Sequence, residues 1–158
     1  MNQLNKTANE PIKDYKPGSL ERKNLQNKYD EMVSQVIEIP IIIGGKEIKT
    51  NDTGICVMPH DHQHVLAKYH KANEKQAHQA IDIAMETWEA WSKTSLKERT
   101  IIFRKAASLL KGPWRDTINA ATMLNQSKNV YQAEIDAACE LIDFLKFNVH
   151  SMQHIYSQ

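Results

Sequence analysis

The chain has 158 residues, of which 41% are hydrophobic and 25% charged, and its formal net charge is +1. This is the composition of one ordinary folded domain, without the basic excess that binding to duplex nucleic acid or to an anionic membrane surface requires. No apolar run approaches the ~20 residues that span a bilayer, so we expect neither nucleic acid nor a membrane as a partner.

The first 18 residues are predicted to form an extended arm that lies on the protein surface. They contain Pro11, Pro17 and Gly18 and few large apolar side chains, a pattern typical of irregular structure. The first ten residues lack both the hydrophobic core of a secretion signal and the Arg-rich, acid-poor pattern of a mitochondrial presequence. We therefore predict no sorting segment here.

A helix is predicted next, from Ser19 as its N-cap to about Val36, because apolar residues recur at helical spacing between them. The β-branched run Ile39–Ile43, the pair Gly44-Gly45 and the segment Lys46–Lys49 then predict a β-hairpin. Proline at position 40 has no amide donor, which favours a sheet edge or the start of a strand.

Two more short strands are expected at Ile55–Met58 and Val65–Tyr69, joined by the polar linker Pro59–His64. In this linker His60, His62 and His64 alternate with polar residues, so three imidazoles could converge on one face and hold a metal ion. The alternative is a plain polar loop. We rank the metal hypothesis last, because a single run without a fourth ligand nearby is uncommon for a zinc site.

The sequence is helical from Asn73 almost to its end. Capping pairs Asn73 with Gln76 and Ser95 with Glu98 predict two helix starts, and Gly112-Pro113 predicts the end of the second helix. A third helix is expected at Trp114 to Leu124 and a long fourth at Val130 to Ile155. The residues expected to be buried on the first two helices are Ala77, Ala80, Ile81, Ala84, Trp88 and Trp91, then Ile102, Phe103, Ala106, Leu109 and Leu110. Trp114 is likewise expected to pack in the core.

The long helix carries the candidate site residue, Glu140. It lies one turn after Asp136 and three residues before Asp143, beside a partly apolar stripe that includes Phe144 and Phe147. A carboxylate next to aromatic rings is typical of an acid that faces a substrate. The alternative is a solvated helix face, which periodicity alone favours.

Two features carry less weight as sites. Cys139 lies in mid-helix without a neighbouring cation, so we expect a buried core residue and not a nucleophile, and Cys56 forms no motif with it. Gly44-Gly45 lacks the spacing of a dinucleotide fingerprint and is followed by a β pattern. A complete nucleotide site is therefore not predicted in this chain.

Several blocks of the sequence together resemble a known family. These blocks are Ala8-Asn9-Glu10-Pro11, Pro17-Gly18-Ser19 with Glu21-Arg22, Pro59-His60-Asp61-His62, Leu110-Lys111-Gly112-Pro113, and Gln132 to Ala138 followed by Glu140 to Phe144 and Phe147-Asn148. From Ala8 to Gln158 the chain resembles the N-terminal portion of the 1-pyrroline-5-carboxylate dehydrogenases of the aldehyde dehydrogenase superfamily.

The resemblance implies an α/β fold that is mostly helical here: an N-terminal arm (1–18), a short hairpin and the leading helices of an incomplete Rossmann-type NAD-binding domain (19–158). It implies a fragment of an NAD-dependent enzyme that oxidises glutamate γ-semialdehyde to glutamate in proline catabolism, as a dimer or higher homo-oligomer. The family's catalytic cysteine and glutamate and its cofactor-binding residues lie beyond Gln158, so this chain alone is expected to be inactive. Only Glu140 carries over, as a residue that lines the aldehyde tunnel.

Location follows from the resemblance as well: the mitochondrial matrix, or the cytoplasm if the source is bacterial. A different kind of function stays open, namely a non-catalytic helical interaction module derived from the same N-terminus. Helices that belong against a cofactor domain should leave a large apolar patch uncovered in this chain, which separates the two hypotheses.

Overall fold

Helices dominate the computed structural model, which describes residues 7–158. The helices are α1 Leu20–Val33, α2 Glu74–Lys93, α3 Leu96–Lys111, α4 Arg115–Gln126, α5 Val130–Ala133 and α6 Glu140–Ile155, with a π-helical turn at Glu134–Cys139. The strands are β1 Ile37–Ile39, β2 Ile41–Ile43, β3 Lys46–Ile48, β4 Thr53–Met58 and β5 Asp61–His70. The predicted α/β class with a helical majority is confirmed. Of the predicted arm, residues 1–6 lie outside the described part.

The strands form two small sheets. β5 is central in the first, with β4 antiparallel on one side and β1 parallel on the other, while β2 and β3 form the predicted antiparallel hairpin. Gly44 and Gly45 both have positive φ, 58° and 75°, which the two-residue turn requires and glycine adopts without strain. Pro40 separates β1 from β2, so the β-branched run belongs to both sheets.

The predicted linker Pro59–His64 is wrong in its extent. β5 already begins at Asp61, which pairs with Met58, so only Pro59 and His60 form the turn. The polar residues that suggested a loop are exposed strand residues. An antiparallel sheet can solvate one face, so a polar strand costs little.

The predicted helix starts are confirmed in detail. Asn73 with Gln76 and Ser95 with Glu98 both form reciprocal capping boxes, and α3 ends at Gly112. α1 is shorter than expected because the chain turns after Val33 to enter β1. Within residues 7–158, no helix has the length and apolar character needed to cross a membrane.

The core lies where α1 and α4 meet the arm and the larger sheet. Its two buried clusters are Tyr15 with Leu25 and Ala120, and Met58 with Leu66 and Leu124. The arm therefore contributes to the core, contrary to the surface position that was predicted for it: the side chains of Tyr15 and Glu10 are about as buried as those of α4. Burial follows from polar contacts that local sequence does not show.

The predicted buried stripe of α2 is wrong. No residue of this helix, all of which belongs to the described part, is buried, and Ile81, Met85 and Trp88 are each about 60% exposed. Trp91 and Trp114 are exposed as well. The periodicity is real, but no element within residues 7–158 covers this face.

The stripe predicted for α3 is wrong in the same way. Ile102 and Phe103 are exposed, whereas Thr100 and Ala107 are buried. α3 packs on α6, and its apolar residues Ile101, Ile102 and Phe103 stay exposed, whereas Ala106 and Leu110 of the predicted stripe are half-buried. α2 and α3 thus each expose several large apolar side chains, and clustered exposed apolar residues of this kind mark surfaces that contact other parts of a protein.

The long fourth helix is one continuous rod from Val130 to Ile155, but its second turn is π-helical. At its end the amide of Glu140 donates to the carbonyl of Ile135, five residues back. The predicted uninterrupted α-helix is therefore wrong at Glu134–Cys139. After this turn the buried face runs through Ile142 and Val149.

Replacing Ile142 with alanine should lower the free energy of unfolding by about 3 kcal/mol, because its side chain is 0% exposed and leaves a cavity between α3 and α6. The matched control is Leu141→Ala. The side chain of Leu141, next to Ile142 in the chain, is 39% exposed, so this substitution should lower the free energy of unfolding by less than about 1 kcal/mol. Urea unfolding of both variants measures the difference. Equal losses would contradict this register of α6.

Candidate functional site

A buried guanidinium joins the arm to the π-helical turn. Arg115, the first residue of α4, donates from Nη1 to Glu10 Oε1 (2.9 Å) and from Nη2 to the carbonyl of Pro11 (2.8 Å). On its other side it forms two hydrogen bonds to Glu134, Nη2 to Oε1 (2.5 Å) and Nε to Oε2 (3.3 Å). Only 2% of the Arg115 side chain is exposed. Two buried carboxylates therefore flank one buried cation.

Glu134 is the most connected group of this cluster. Besides Arg115, its carboxylate accepts from the amide of Lys13 (2.8 Å), the hydroxyl of Tyr15 (2.8 Å) and Nδ2 of Asn119 (2.8 Å). A fully buried carboxylate is costly unless its lone pairs are used in this way. The contacts show why the arm packs inside: it supplies two of the donors.

The cluster sets the ionisation of its members. Burial opposes the ionisation of Glu134, but hydrogen bonds from Arg115, Lys13 and Tyr15 outweigh it and hold its pKa below 4.5. Burial also opposes the charge of Arg115, and Glu134 and Glu10 outweigh it and raise the guanidinium pKa. For Tyr15, burial and the neighbouring carboxylate together raise the pKa. The cluster is thus a charged ion pair with a neutral phenol.

Cys139 closes the same cluster. Its Sγ is 3.3 Å from Nη2 of Arg115 and 3.7 Å from Glu134 Oε1. Burial, followed by the negative charge of Glu134, raises the pKa of this thiol to about 11. The expected buried core cysteine is confirmed, but the expectation that it has no neighbouring cation is wrong, because another helix supplies Arg115. A thiol with this pKa is protonated at neutral pH and is a poor nucleophile.

Glu140 lies one residue beyond this cluster, on an open cleft of about 310 Å³. The cleft is lined by Asn9, Glu140, Asp143, Phe144 and Phe147. Asp143 is held by the arm: it accepts from Asn9 Nδ2 (2.9 Å) and from the amide of Glu10 (2.7 Å). Glu140, by contrast, has no hydrogen bond or ion pair within residues 7–158, so its carboxylate is available to a ligand.

A larger cleft of about 560 Å³ lies between α1 and the start of α5. Two of its polar side chains are already paired: His60 Nδ1 with Ser127 Oγ (2.8 Å) and Lys128 with Asp136 (2.6 Å). No acidic residue lines this cleft, whereas the smaller one is lined by Glu140, the candidate site residue of the sequence. We therefore place the candidate site at the smaller cleft.

The three histidines of the predicted linker do not converge. His60 lies in the turn and bonds Ser127, whereas His64 lies in β5 and its Nε2 is 3.0 Å from the carbonyl of Val33. No group of three or more potential ligands in residues 7–158 could hold a metal ion. The metal hypothesis therefore finds no support at His60, His62 and His64.

The buried cluster was missed at the sequence level. Glu134 precedes the buried Ala138 by four residues and Ile142 by eight, which is the spacing of the buried face. A carboxylate on that stripe predicts a buried cation. Which cation it meets depends on tertiary contacts, because Arg115 lies on another helix.

Comparison with known proteins defines the class to which this fold and cleft belong. Residues 46–158 match the aldehyde dehydrogenase family, and the chain belongs to this family.

Within the family, three similar proteins carry names of one enzyme. The chain is 42% identical to a delta-pyrroline-5-carboxylate dehydrogenase from Mycobacterium tuberculosis, solved with bound NAD, with a TM-score of 0.95 over 100% of this chain and 30% of that one. It is 41% identical over 94% of its length to a probable delta-1-pyrroline-5-carboxylate dehydrogenase of Schizosaccharomyces pombe, and 41% identical over 90% to the mitochondrial human enzyme of that name. The chain spans 27% and 25% of those two proteins.

Acid should destabilise the protein through Glu134. Its pKa is depressed in the folded state, so its stabilising effect is complete above pH 4.5, the ordinary value, and is lost as the pH falls through the lower folded pKa. In Glu134→Gln the melting temperature should be lower at pH 7 and should fall less steeply below pH 4.5. Thermal scans between pH 7 and pH 3 measure this.

The control for this experiment is Glu31→Gln, which removes an exposed partner of Lys28. An exposed pair contributes little, so its acid profile should match that of the wild type. A Glu134→Gln profile parallel to wild type would show that the carboxylate does not depend on its buried contacts.

Proposed function

We propose that this chain forms the N-terminal part of an NAD-dependent 1-pyrroline-5-carboxylate dehydrogenase, which oxidises L-glutamate γ-semialdehyde to L-glutamate in proline catabolism. One observation carries the proposal: 42% identity and a TM-score of 0.95 to a solved enzyme of this name over the whole chain. The S. pombe and human relatives support the same assignment.

In this proposal residues 1–18 are the arm and residues 19–158 belong to the NAD-binding domain. The uncovered apolar faces of α2 and α3 support this arrangement, because side chains such as Trp88 and Phe103 would pack on further parts of a dehydrogenase subunit. An independent interaction module would need a more polar surface on these helices. The proposal therefore favours a segment of a larger enzyme over the module.

NAD would supply the hydride acceptor for the oxidation. Residues 7–158 contain no glycine-rich turn between a strand and a helix, the arrangement that holds a dinucleotide pyrophosphate, so we assign no NAD contact to this chain. The nucleophilic cysteine is likewise assigned elsewhere, because the thiol of Cys139 is buried and protonated. What this chain contributes is binding and positioning.

Glu140 is the proposed contact to the substrate. Its carboxylate is free, and the exposed ring of Phe144 and the half-buried ring of Phe147 line the same cleft. A carboxylate beside aromatic rings suits a cationic group, through charge and through cation–π attraction. Glutamate γ-semialdehyde carries such a group in its ammonium, whereas simple aliphatic aldehydes do not.

Assembly and location are also proposed from the relatives. We expect a homodimer or a higher homo-oligomer of the complete subunit. The names of the human and Dictyostelium discoideum relatives place them in mitochondria, which supports the mitochondrial matrix for this protein, with the bacterial cytoplasm as the alternative.

The activity itself can be tested on the natural polypeptide that carries these residues. When it is purified and supplied with NAD and glutamate γ-semialdehyde, it should produce NADH. The absorbance of NADH at about 340 nm measures this. The 158-residue chain alone should show no turnover and should aggregate through its apolar faces. Turnover by that chain would contradict the assignment of the nucleophile to other parts of the enzyme.

In the active polypeptide, Glu140→Ala should raise KM for glutamate γ-semialdehyde about tenfold while leaving kcat and the melting temperature nearly unchanged, since it removes a binding contact from an exposed site. The matched control is Asp136→Ala, an acid one turn earlier that pairs with Lys128 outside the cleft. It should leave KM unchanged. Loss of thermal stability with unchanged kinetics in Glu140→Ala would make Glu140 structural.

A further inference from the structure

The π-helical turn decides which way Glu140 faces. In an α-helix each residue advances about 100° around the axis, so one extra residue in a turn rotates everything after it by about that angle. The turn Glu134–Cys139 contains this extra residue, and Glu140 is the first residue beyond it. The turn therefore sets the direction of Glu140 relative to the residues that precede it, such as the buried Glu134.

Both ends of this turn are fixed by one side chain. Arg115 forms two hydrogen bonds to Glu134, the first residue of the turn, and approaches Sγ of Cys139, the last, at 3.3 Å. These contacts come from α4 and not from the helix that contains the turn. A side chain from another helix thus contacts both ends of the π-helical turn.

The arm contacts both Arg115 and Glu134 from the opposite side. Glu10 and the carbonyl of Pro11 accept from Arg115, and the amide of Lys13 and the hydroxyl of Tyr15 donate to Glu134. The same arm lines the cleft, where Asn9 donates to Asp143. One continuous set of hydrogen bonds therefore runs from the buried ion pair to the wall of the cleft.

We propose that Glu134 and Arg115 are positioning residues, whose ion pair holds the π-helical turn in register and so directs Glu140 into the substrate cleft. This inference rests on the proposed function in one respect, namely that Glu140 contacts the substrate. Neither residue touches the cleft itself. Their effect on the reaction passes through Glu140.

The test uses Glu134→Gln in the active polypeptide. The neutral amide keeps the shape and some hydrogen bonds but weakens the bond to Arg115, which retains Glu10 as a partner. KM for glutamate γ-semialdehyde should rise about tenfold, whereas kcat/KM for pentanal, which has no ammonium group, should stay within about twofold. Hydrogen exchange at the amide of Glu140 should become faster.

The matched control is Glu10→Gln. It removes the other buried carboxylate of Arg115, with comparable burial, and the ion pairs of that carboxylate to Lys111 and Lys146. It leaves in place both hydrogen bonds from Arg115 to Glu134 in the π-helical turn. It should lower thermal stability without a change in the ratio of kcat/KM between the two aldehydes. If Glu10→Gln changed this ratio as much as Glu134→Gln does, the ion pair would be a general structural contact.

A double-mutant cycle separates positioning from stability. Because Glu134 acts through Glu140, Glu134→Gln should add nothing to the KM of Glu140→Ala. Additive effects, an equal loss with both aldehydes, or unchanged exchange at Glu140 would each overturn the proposal. If Glu134→Gln does not fold, Tyr15→Phe, which removes a single hydrogen bond to Glu134, should change the same three measurements in the same direction by about twofold or threefold.

Failure of the proposed function gives a different result. A wild-type polypeptide that oxidises pentanal but not glutamate γ-semialdehyde would exclude the proposed substrate. Exchange at the Glu140 amide in Glu134→Gln would still decide whether the ion pair holds the π-helical turn. The two claims can therefore fail separately.

Discussion

The ion pair between Arg115 and Glu134 is the contact on which the rest of this structure depends. Both charges are buried, and removing one partner of such a pair typically costs about 3 to 5 kcal/mol because the other is left without compensation. The two side chains therefore hold α4 and the π-helical turn together. They also draw the arm into the core, since the lone pairs of Glu134 are filled by arm donors, Lys13 and Tyr15 among them. An otherwise irregular segment gains a fixed place by this means, and the wall of the cleft is built from it.

A second constraint is that this part of the chain is rich in apolar surface it does not bury. The indole of Trp88 is 63% exposed, and the apolar positions of α2 and α3 follow helical spacing without a partner in the described residues. Burial of such faces is a main source of folding free energy. A composition suited to one domain is thus not the same as a self-sufficient core. The chain spans 25% of the human relative. Uncovered apolar faces are what a chain that matches only part of a longer protein should show.

The family and the cleft give different kinds of information about function. Membership of the aldehyde dehydrogenase family follows from the match of residues 46–158. Within the cleft, one free carboxylate, Glu140, stands beside two aromatic rings, and the neighbouring Asp143 is already occupied by the arm. The site can bind a cationic group but has no nucleophile, since Cys139 is protonated and faces the interior. In the proposed function, this cleft therefore serves substrate binding and the chemistry is assigned to other parts of the enzyme.

Local sequence by itself determined several elements: the helix caps at Asn73 and Ser95 and the glycine turn at positions 44 and 45. These signals act over a few residues, through hydrogen bonds between neighbours or through the φ angles that glycine allows. Glu140 as a site residue was also predicted from its stripe and from family resemblance, and this role stays a prediction. Tertiary structure alone decided which apolar stripes are covered, that β1 pairs in parallel with β5, and that Glu134 meets Arg115. Those outcomes depend on residues far apart in the chain, and the π-helical turn follows from them, because its extra residue is held by a side chain on another helix.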